Sequence, residues 1–244
     1  YQYIYIDIYI YIYYNMNKFE EYFFNKTDKT LKSCKYHEYL KIYDRHFKTF
    51  IGKNPKILEI GVQGGGSLEM WNCYFDKECE IYGIDIDPRC LTVPDKLQSN
   101  NIHVTIGNQG SSQFWEDYMK TCPTFDIIID DGGHTATQQR CTFSNLYNNK
   151  MKDNGVYLCE DLHTSYWKEF GGGYRDANSF MEFSKNLTDS LNADHFVTGN
   201  VRHSTPNANP TDMNFCRTTN SIHFYDSVVV FEKQKNEPMT HSTR

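Results

Sequence analysis

The sequence predicts an α/β protein: a Rossmann-like, doubly wound, mostly parallel sheet with a C-terminal antiparallel strand. Three observations predict it. Short apolar runs alternate with segments of helical period, a glycine-rich turn follows the first run, and carboxylates stand at the ends of later runs, at Asp85, Asp130, Asp131, Glu160 and Asp161. Sheets of this kind carry their chemistry outside the carboxyl ends of the strands, so the acids lie where a site is expected.

Residues 1–15 alternate tyrosine and isoleucine, unlike anything after them. TAT and ATA are the codons of these residues, so a thymine-adenine repeat read in frame encodes the pattern. We read it as translated upstream sequence with Met16 as the natural start; a genuine strand here would expose two apolar faces and invite aggregation. From 35 to 51, Tyr36, Leu40, Tyr43, Phe47 and Phe50 recur at spacings of four and three, which predicts a helix packed on the body of the domain. A strand over 56–60, a glycine turn over 61–66 and a helix over 67–75 follow. Further strands are predicted at 80–86, 102–106, 125–130 and 156–160, with helices at 111–120 and 135–151.

Beyond Asp161 the pattern loosens. A loop with Gly171, Gly172 and Gly173 permits movement over a site, and a helix over 177–191 precedes a strand near 195–198. Residues 199–220 are too long for a plain connector and serve as a substrate cover or an oligomer contact. A long strand over 221–231 closes the core. The expected organisation is a low-complexity segment at 1–15, one domain over 16–235 and a disordered tail at 236–244.

A net charge of −6 and the lack of any Lys/Arg-rich run argue against nucleic acid or an anionic membrane as partner. A small-molecule or glycosyl acceptor fits better, and a homo-oligomer stays open. The eight cysteines form no CxxC pair and Cys159 lies in a strand run, so reduced thiols are expected. No secretory leader pattern opens the chain and no apolar run approaches the roughly 20 residues that span a bilayer, which points to the cytoplasm.

The turn Glu59-Ile-Gly-Val-Gln-Gly-Gly-Gly-Ser67 lets a ligand approach the backbone closely, although such a turn also serves sheet-to-helix packing alone. Asp85, about two dozen residues on, can accept both hydroxyl hydrogens of a ribose. Gln63 replaces the middle glycine of a dinucleotide fingerprint, and Glu59 suits a cationic amino-acid moiety better than a pyrophosphate. S-adenosyl-L-methionine is therefore favoured over NAD. Neighbouring strands lie about 4.8 Å apart, so Asp131, Glu160 and Asp161 can converge on one hard cation. Singly, each acid is more often a helix cap or a solvated strand end; the case rests on their clustering. Asp130 reads as a structural or cofactor-side acid, not a ligand.

These residues, with Gly83-Ile-Asp-Ile-Asp-Pro88, Asp130-Asp-Gly-Gly-His134 and Glu160-Asp161, resemble a known family. It is the metal-dependent class I methyltransferases acting on sugar hydroxyls of macrolide antibiotics, of mycinamicin and macrocin type, with cephalosporin-hydroxylase-like relatives. The resemblance runs from about residue 35 to 233, and its most specific piece is D-x-x-H followed by E-D. It implies Mg2+ held by Asp131, Glu160 and Asp161, with His134 as catalytic base. It also implies S-adenosyl-L-methionine along Glu59, Gly61 and Gly65, its ribose on Asp85 and its adenine near Asn108 and Gln109. His37, Tyr39, His163, Trp167, Tyr174, His223 and Tyr225 become candidates for the acceptor pocket. The activity implied is O-methylation of a sugar or polyhydroxylated small molecule; an NAD-dependent oxidoreductase and a non-catalytic cofactor-binding protein are the alternatives.

Overall fold

A computed structural model describes residues 16–195 and 210–237. The Tyr/Ile segment 1–15, most of the strand expected near 195–198, residues 199–209 and the tail from 238 lie outside the described residues.

Seven strands form one sheet: β1 (Lys56–Ile60), β2 (Glu80–Asp85), β3 (Ile102–Ile106), β4 (Phe125–Asp130), β5 (Met151–Cys159), β6 (Thr219–Tyr225) and β7 (Val228–Lys233). Their order is β3-β2-β1-β4-β5-β7-β6; β1 to β5 are parallel, and β7 runs antiparallel to both β5 and β6. The doubly wound sheet expected from the sequence is present. The order reverses between β1 and β4, which opens a crevice at their carboxyl ends.

The sheet forms because its central strands are apolar on both faces. Ile57, Ile127, Val156 and Leu158 enter one core with Tyr43, Phe47 and Trp71, while Leu58, Ile128, Tyr157 and Cys159 enter the other with Trp115, Phe143 and Phe180. Successive side chains point to opposite faces, so uninterrupted apolar runs mark strands covered twice. The main helices are α1 (His37–Phe47), α2 (Gly66–Tyr74), α3 (Val93–Leu97), α4 (Ser112–Tyr118), α5 (Ala136–Leu146), α6 (Phe180–Leu191) and α7 (Pro210–Thr218). Side-chain caps place several boundaries. Ser111 accepts the Phe114 N–H before α4, Thr135 and Gln138 form a capping box at α5, and Ser179 accepts the Glu182 N–H before α6.

Four expectations change. The helix predicted from 135 to 151 stops at Leu146, and β5 already starts at Met151. The single strand predicted over 221–231 is a hairpin: Asp226 and Ser227 turn the chain, with Ser227 at φ 63°. His195 ends a 3-10 turn, Ala193–His195, so no strand begins there. Asn236, assigned to the tail, hydrogen-bonds the Cys216, Arg217 and Thr219 carbonyls. Among the described residues no helix is long and apolar enough to cross a membrane.

Candidate active site

A cleft of about 480 Å³ opens at the switch point, walled by the turn after β1, the ends of β2 to β4 and residues 32–35. The turn is tight because two chains meet there. Gly61 sits at φ 96°, and a Cβ on it would lie 1.9 Å from the Asp131 carbonyl oxygen, so only glycine allows the tips of β1 and β4 to touch. Gly65, at φ 83°, starts α2.

Glu59 is fully buried beneath this turn. One carboxylate oxygen accepts the Ser67 hydroxyl at 2.8 Å and the other accepts no hydrogen bond, with the Lys35 ammonium 3.9 Å away, while burial pushes its pKa up to about 7. A buried carboxylate oxygen that accepts no hydrogen bond beside a cleft fits a ligand cation such as an amino-acid ammonium. Asp85 accepts the Val62 and Gln63 N–H groups at 2.9 and 2.8 Å and that of Asp87 at 2.9 Å. Those turn amides therefore point at Asp85 and away from any pyrophosphate, which speaks against the dinucleotide reading.

Asn108 and Gln109 both line the cleft, but their side chains serve the loops. Asn108 accepts the Gly110 N–H at 2.9 Å. Gln109 donates to Asp130 at 3.0 Å and Thr142 at 3.1 Å and accepts the Gly133 N–H at 2.6 Å, tying the tip of β3 to that of β4. Asp130 also accepts the Tyr157 hydroxyl at 3.2 Å; it is buried and structural, as expected.

Asp131, His134 and Asp161 converge: ligand atoms from all three lie within 4.8 Å of one another. His134 Nε2 stands 3.9 Å from Asp131 and 3.8 Å from Asp161, facing the gap between their carboxylates. Both loops are held in left-handed backbone conformations, His134 at φ 60° and Asp161 at φ 58°. The Thr164 hydroxyl joins them through the carbonyls of His134 at 3.2 Å and Asp161 at 2.7 Å. Tyr39 donates to Asp161 at 2.9 Å.

Glu160, the third expected ligand, is not in that three-residue group and carries partners of its own. Lys35 donates to it at 2.6 Å and Tyr43 at 2.5 Å. Lys35 also bonds Asp131 and stands 3.9 Å from Glu59. Burial would lower the Lys35 ammonium, but Glu160, Asp131 and Glu59 outweigh it and hold its pKa well above the ordinary value. Burial pushes Asp131 up to about 6 and Glu160 up to about 8. Sequence reasoning missed Lys35 and Tyr43. A lone lysine in a loop carries no motif, and Tyr43 reads as one more apolar position of α1.

The donor set fits a hard divalent cation, since carboxylates of both strand tips face a common gap and an ammonium already neutralises part of the group. Of the acceptor-pocket candidates, His163 packs on Trp167 with ring centroids 4.7 Å apart, and Trp167 and Tyr174 are exposed. His37 packs on Phe23 and Phe24. His223 and Tyr225 belong elsewhere. The hairpin turns them toward His46, with Tyr225 bonded to His46 at 2.8 Å and His223 to Ser221 at 2.9 Å.

No protein-family model matches the chain. Curated proteins do. The 8-demethyl-8-alpha-L-rhamnosyl tetracenomycin-C 2'-O-methyltransferase of Streptomyces olivaceus is 33% identical over 208 residues, 82% of this chain and 51% of the relative. The mycinamicin VI 2''-O-methyltransferase of Micromonospora griseorubida is 31% identical over 211 residues, 82% of this chain and 49% of the relative. Among solved structures, the MycE methyltransferase from the mycinamycin biosynthetic pathway, in complex with Mg and SAH, matches with a TM-score of 0.71. It is 30% identical over 84% of this chain and 51% of its own length. The chain thus spans about half the length of the relatives it matches.

Proposed function

Because this chain is a relative of the antibiotic sugar O-methyltransferases in both sequence and fold, we propose that it transfers a methyl group from S-adenosyl-L-methionine to a hydroxyl of a sugar or polyhydroxylated small molecule, with Mg2+ as cofactor. The observation that carries the reading is the convergence of Asp131, His134 and Asp161 in the wall of a cleft, near the buried Glu59 that keeps one oxygen without a hydrogen bond.

When bound, the sulfonium supplies an electrophilic methyl and the divalent cation orients the acceptor hydroxyls and lowers the pKa of the one that reacts. Glu59 binds the cationic amino-acid end of the cofactor, next to the Gly61 and Gly65 turn. Asp85 faces the ribose while it keeps the turn closed. Asn108 and Gln109 form the wall beside the adenine, and the bonds of Gln109 to Asp130 and Gly133 hold that wall against the catalytic loop. Asp131, Glu160 and Asp161 would hold the cation. His134 Nε2, aimed into the gap between the acids, would take the proton of the acceptor hydroxyl.

An aromatic rim supports a sugar acceptor. Tyr36 approaches His163 at 6.0 Å, His163 packs on Trp167, Trp167 on Phe170 at 6.0 Å, and Phe170 reaches His134 at 6.5 Å. Such rings offer apolar faces to sugar C–H groups and exclude water from the reacting hydroxyl.

Incubating the protein with S-adenosyl-L-methionine, Mg2+ and a panel of glycosides and polyols tests the reading by mass spectrometry. Methylated product is expected from the wild type, and His134→Ala should lower turnover by about 10²–10⁴-fold while cofactor affinity measured by calorimetry stays unchanged. Full turnover by His134→Ala would remove the base assignment, and no cofactor binding by the wild type would remove the methyltransferase reading.

A further inference from the structure

Lys35 is the only lysine among the described residues that bonds two acids of the candidate site. Its side chain is 4% exposed, and its ammonium touches Asp131 and Glu160 and faces Glu59. Both oxygens of Glu160 are engaged, one by Lys35 and one by Tyr43. A metal ion bridging Asp131 and Glu160 would take the position that the Lys35 ammonium holds between their oxygens, so the two cations compete for it.

The backbone on either side of Lys35 is anchored, and the stretch between is not hydrogen-bonded to other backbone among the described residues. The N–H groups of Thr30 and Leu31 are anchored on Glu69 at 3.0 and 2.8 Å, and Tyr36 begins α1. Between those anchors, residues 32–35 make no hydrogen bond to other backbone groups among the described residues. The stretch lies against Gly66, where a Cβ would come 2.1 Å from the Lys32 carbonyl oxygen, and the same residues wall the cleft.

We propose that Lys35 is a tethered cation standing in the divalent-ion site between Asp131 and Glu160, and that the arriving ion displaces it and thereby moves the 32–35 wall of the cofactor cleft. The inference rests on the metal-dependent reading above and deepens it. Lys35 keeps the buried acids paired while the site waits, and metal affinity is set by the difference between the ion and this internal competitor. Cation binding and cofactor entry are coupled through one short segment.

Mn2+ serves as the probe. In wild-type protein, reductive methylation with formaldehyde, read by mass spectrometry, should label Lys35 slowly without metal and about tenfold or more faster with saturating Mn2+. Equal or slower labelling with Mn2+ bound overturns the proposal without any variant. Calorimetry adds the second arm: Lys35→Met should tighten Mn2+ binding by about tenfold or more, whereas unchanged or weaker binding overturns displacement. Asp131→Asn separates the two levels. If it binds Mn2+ as the wild type does, the metal site itself is wrong and the proposal falls with it. If it loses Mn2+ while Lys35→Met binds more weakly than wild type, the metal reading stands and only the role of Lys35 fails.

Discussion

Helix α1 touches two groups of ionisable side chains built on opposite plans. Near its C-terminus His46 meets Glu232 at 2.8 Å and Tyr225 at 2.8 Å, Ser221 donates to Glu232 at 2.8 Å and bonds His223 at 2.9 Å, and Arg45 donates to Tyr225. No side-chain atom of that group is buried without a hydrogen-bond partner. One turn earlier and beyond, Tyr43 and Tyr39 reach Glu160 and Asp161, but Glu59 keeps an oxygen and His134 its Nδ1 without a hydrogen bond, and two residues sit in left-handed conformations. A network that satisfies itself holds β6 and β7 to α1; a network with open valences and stored backbone strain awaits ligands. Cluster composition alone does not separate the two, since each gathers acids and histidine.

The strongest test acts on the strained side. Gly61→Ala puts a methyl group into the Asp131 carbonyl and forbids a left-handed φ, so a stability loss of about 3 kcal/mol or more and loss of cofactor binding are expected. Thermal denaturation and calorimetry measure both, and wild-type values would show that the strand tips need not touch. A paired substitution sharpens the contrast. Glu232→Ala should cost about 1 kcal/mol, because it strips a bond from the buried His46, yet leave turnover of the folded protein unchanged. Glu59→Gln should leave stability equal or raised, since it removes a buried charge, and yet weaken cofactor binding. The reverse pattern would reassign which network is structural.

Smallest is the effect of pH on the metal-free protein, where the two clusters act in opposite directions. Burial raises Glu59 from 4.5 to about 7, so its stabilising contribution is complete below pH 4.5 and is lost as pH rises through about 7. Burial lowers His46 below 6.5 despite the pull of Glu232, so its contribution is present above pH 6.5 and is lost as pH falls through the lower folded value. Melting temperature against pH should therefore fall on both sides. Glu59→Gln should flatten the alkaline limb and His46→Gln the acid limb; a variant that flattens the wrong limb would break the comparison.

Much of the sheet was legible because buried parallel strands read as unbroken apolar runs, as at 125–130 and 156–160. The acids at those strand ends were legible for the same reason. The hairpin was not, because Asp226-Ser227 lacks the glycine that usually announces a two-residue turn. That one turn removed His223 and Tyr225 from the acceptor pocket and placed them on His46. Glu160 and Asp161 are neighbours in sequence and suggested a shared ligand role; their partners, Lys35 and Tyr43 for one and Tyr39 for the other, were not legible.

The sequence by itself determined the doubly wound sheet, the glycine turn over Glu59 and the placing of Asp131, His134, Glu160 and Asp161 at strand ends, because strand period and turn chemistry are local. Only the tertiary structure decided which side chains share a charge. Lys35 lies 96 residues from Asp131 and 125 from Glu160 in the chain, and no local pattern reports so distant a pairing. Burying an ammonium among carboxylates is favourable only once the folded walls have excluded water, so that decision belongs to the assembled fold.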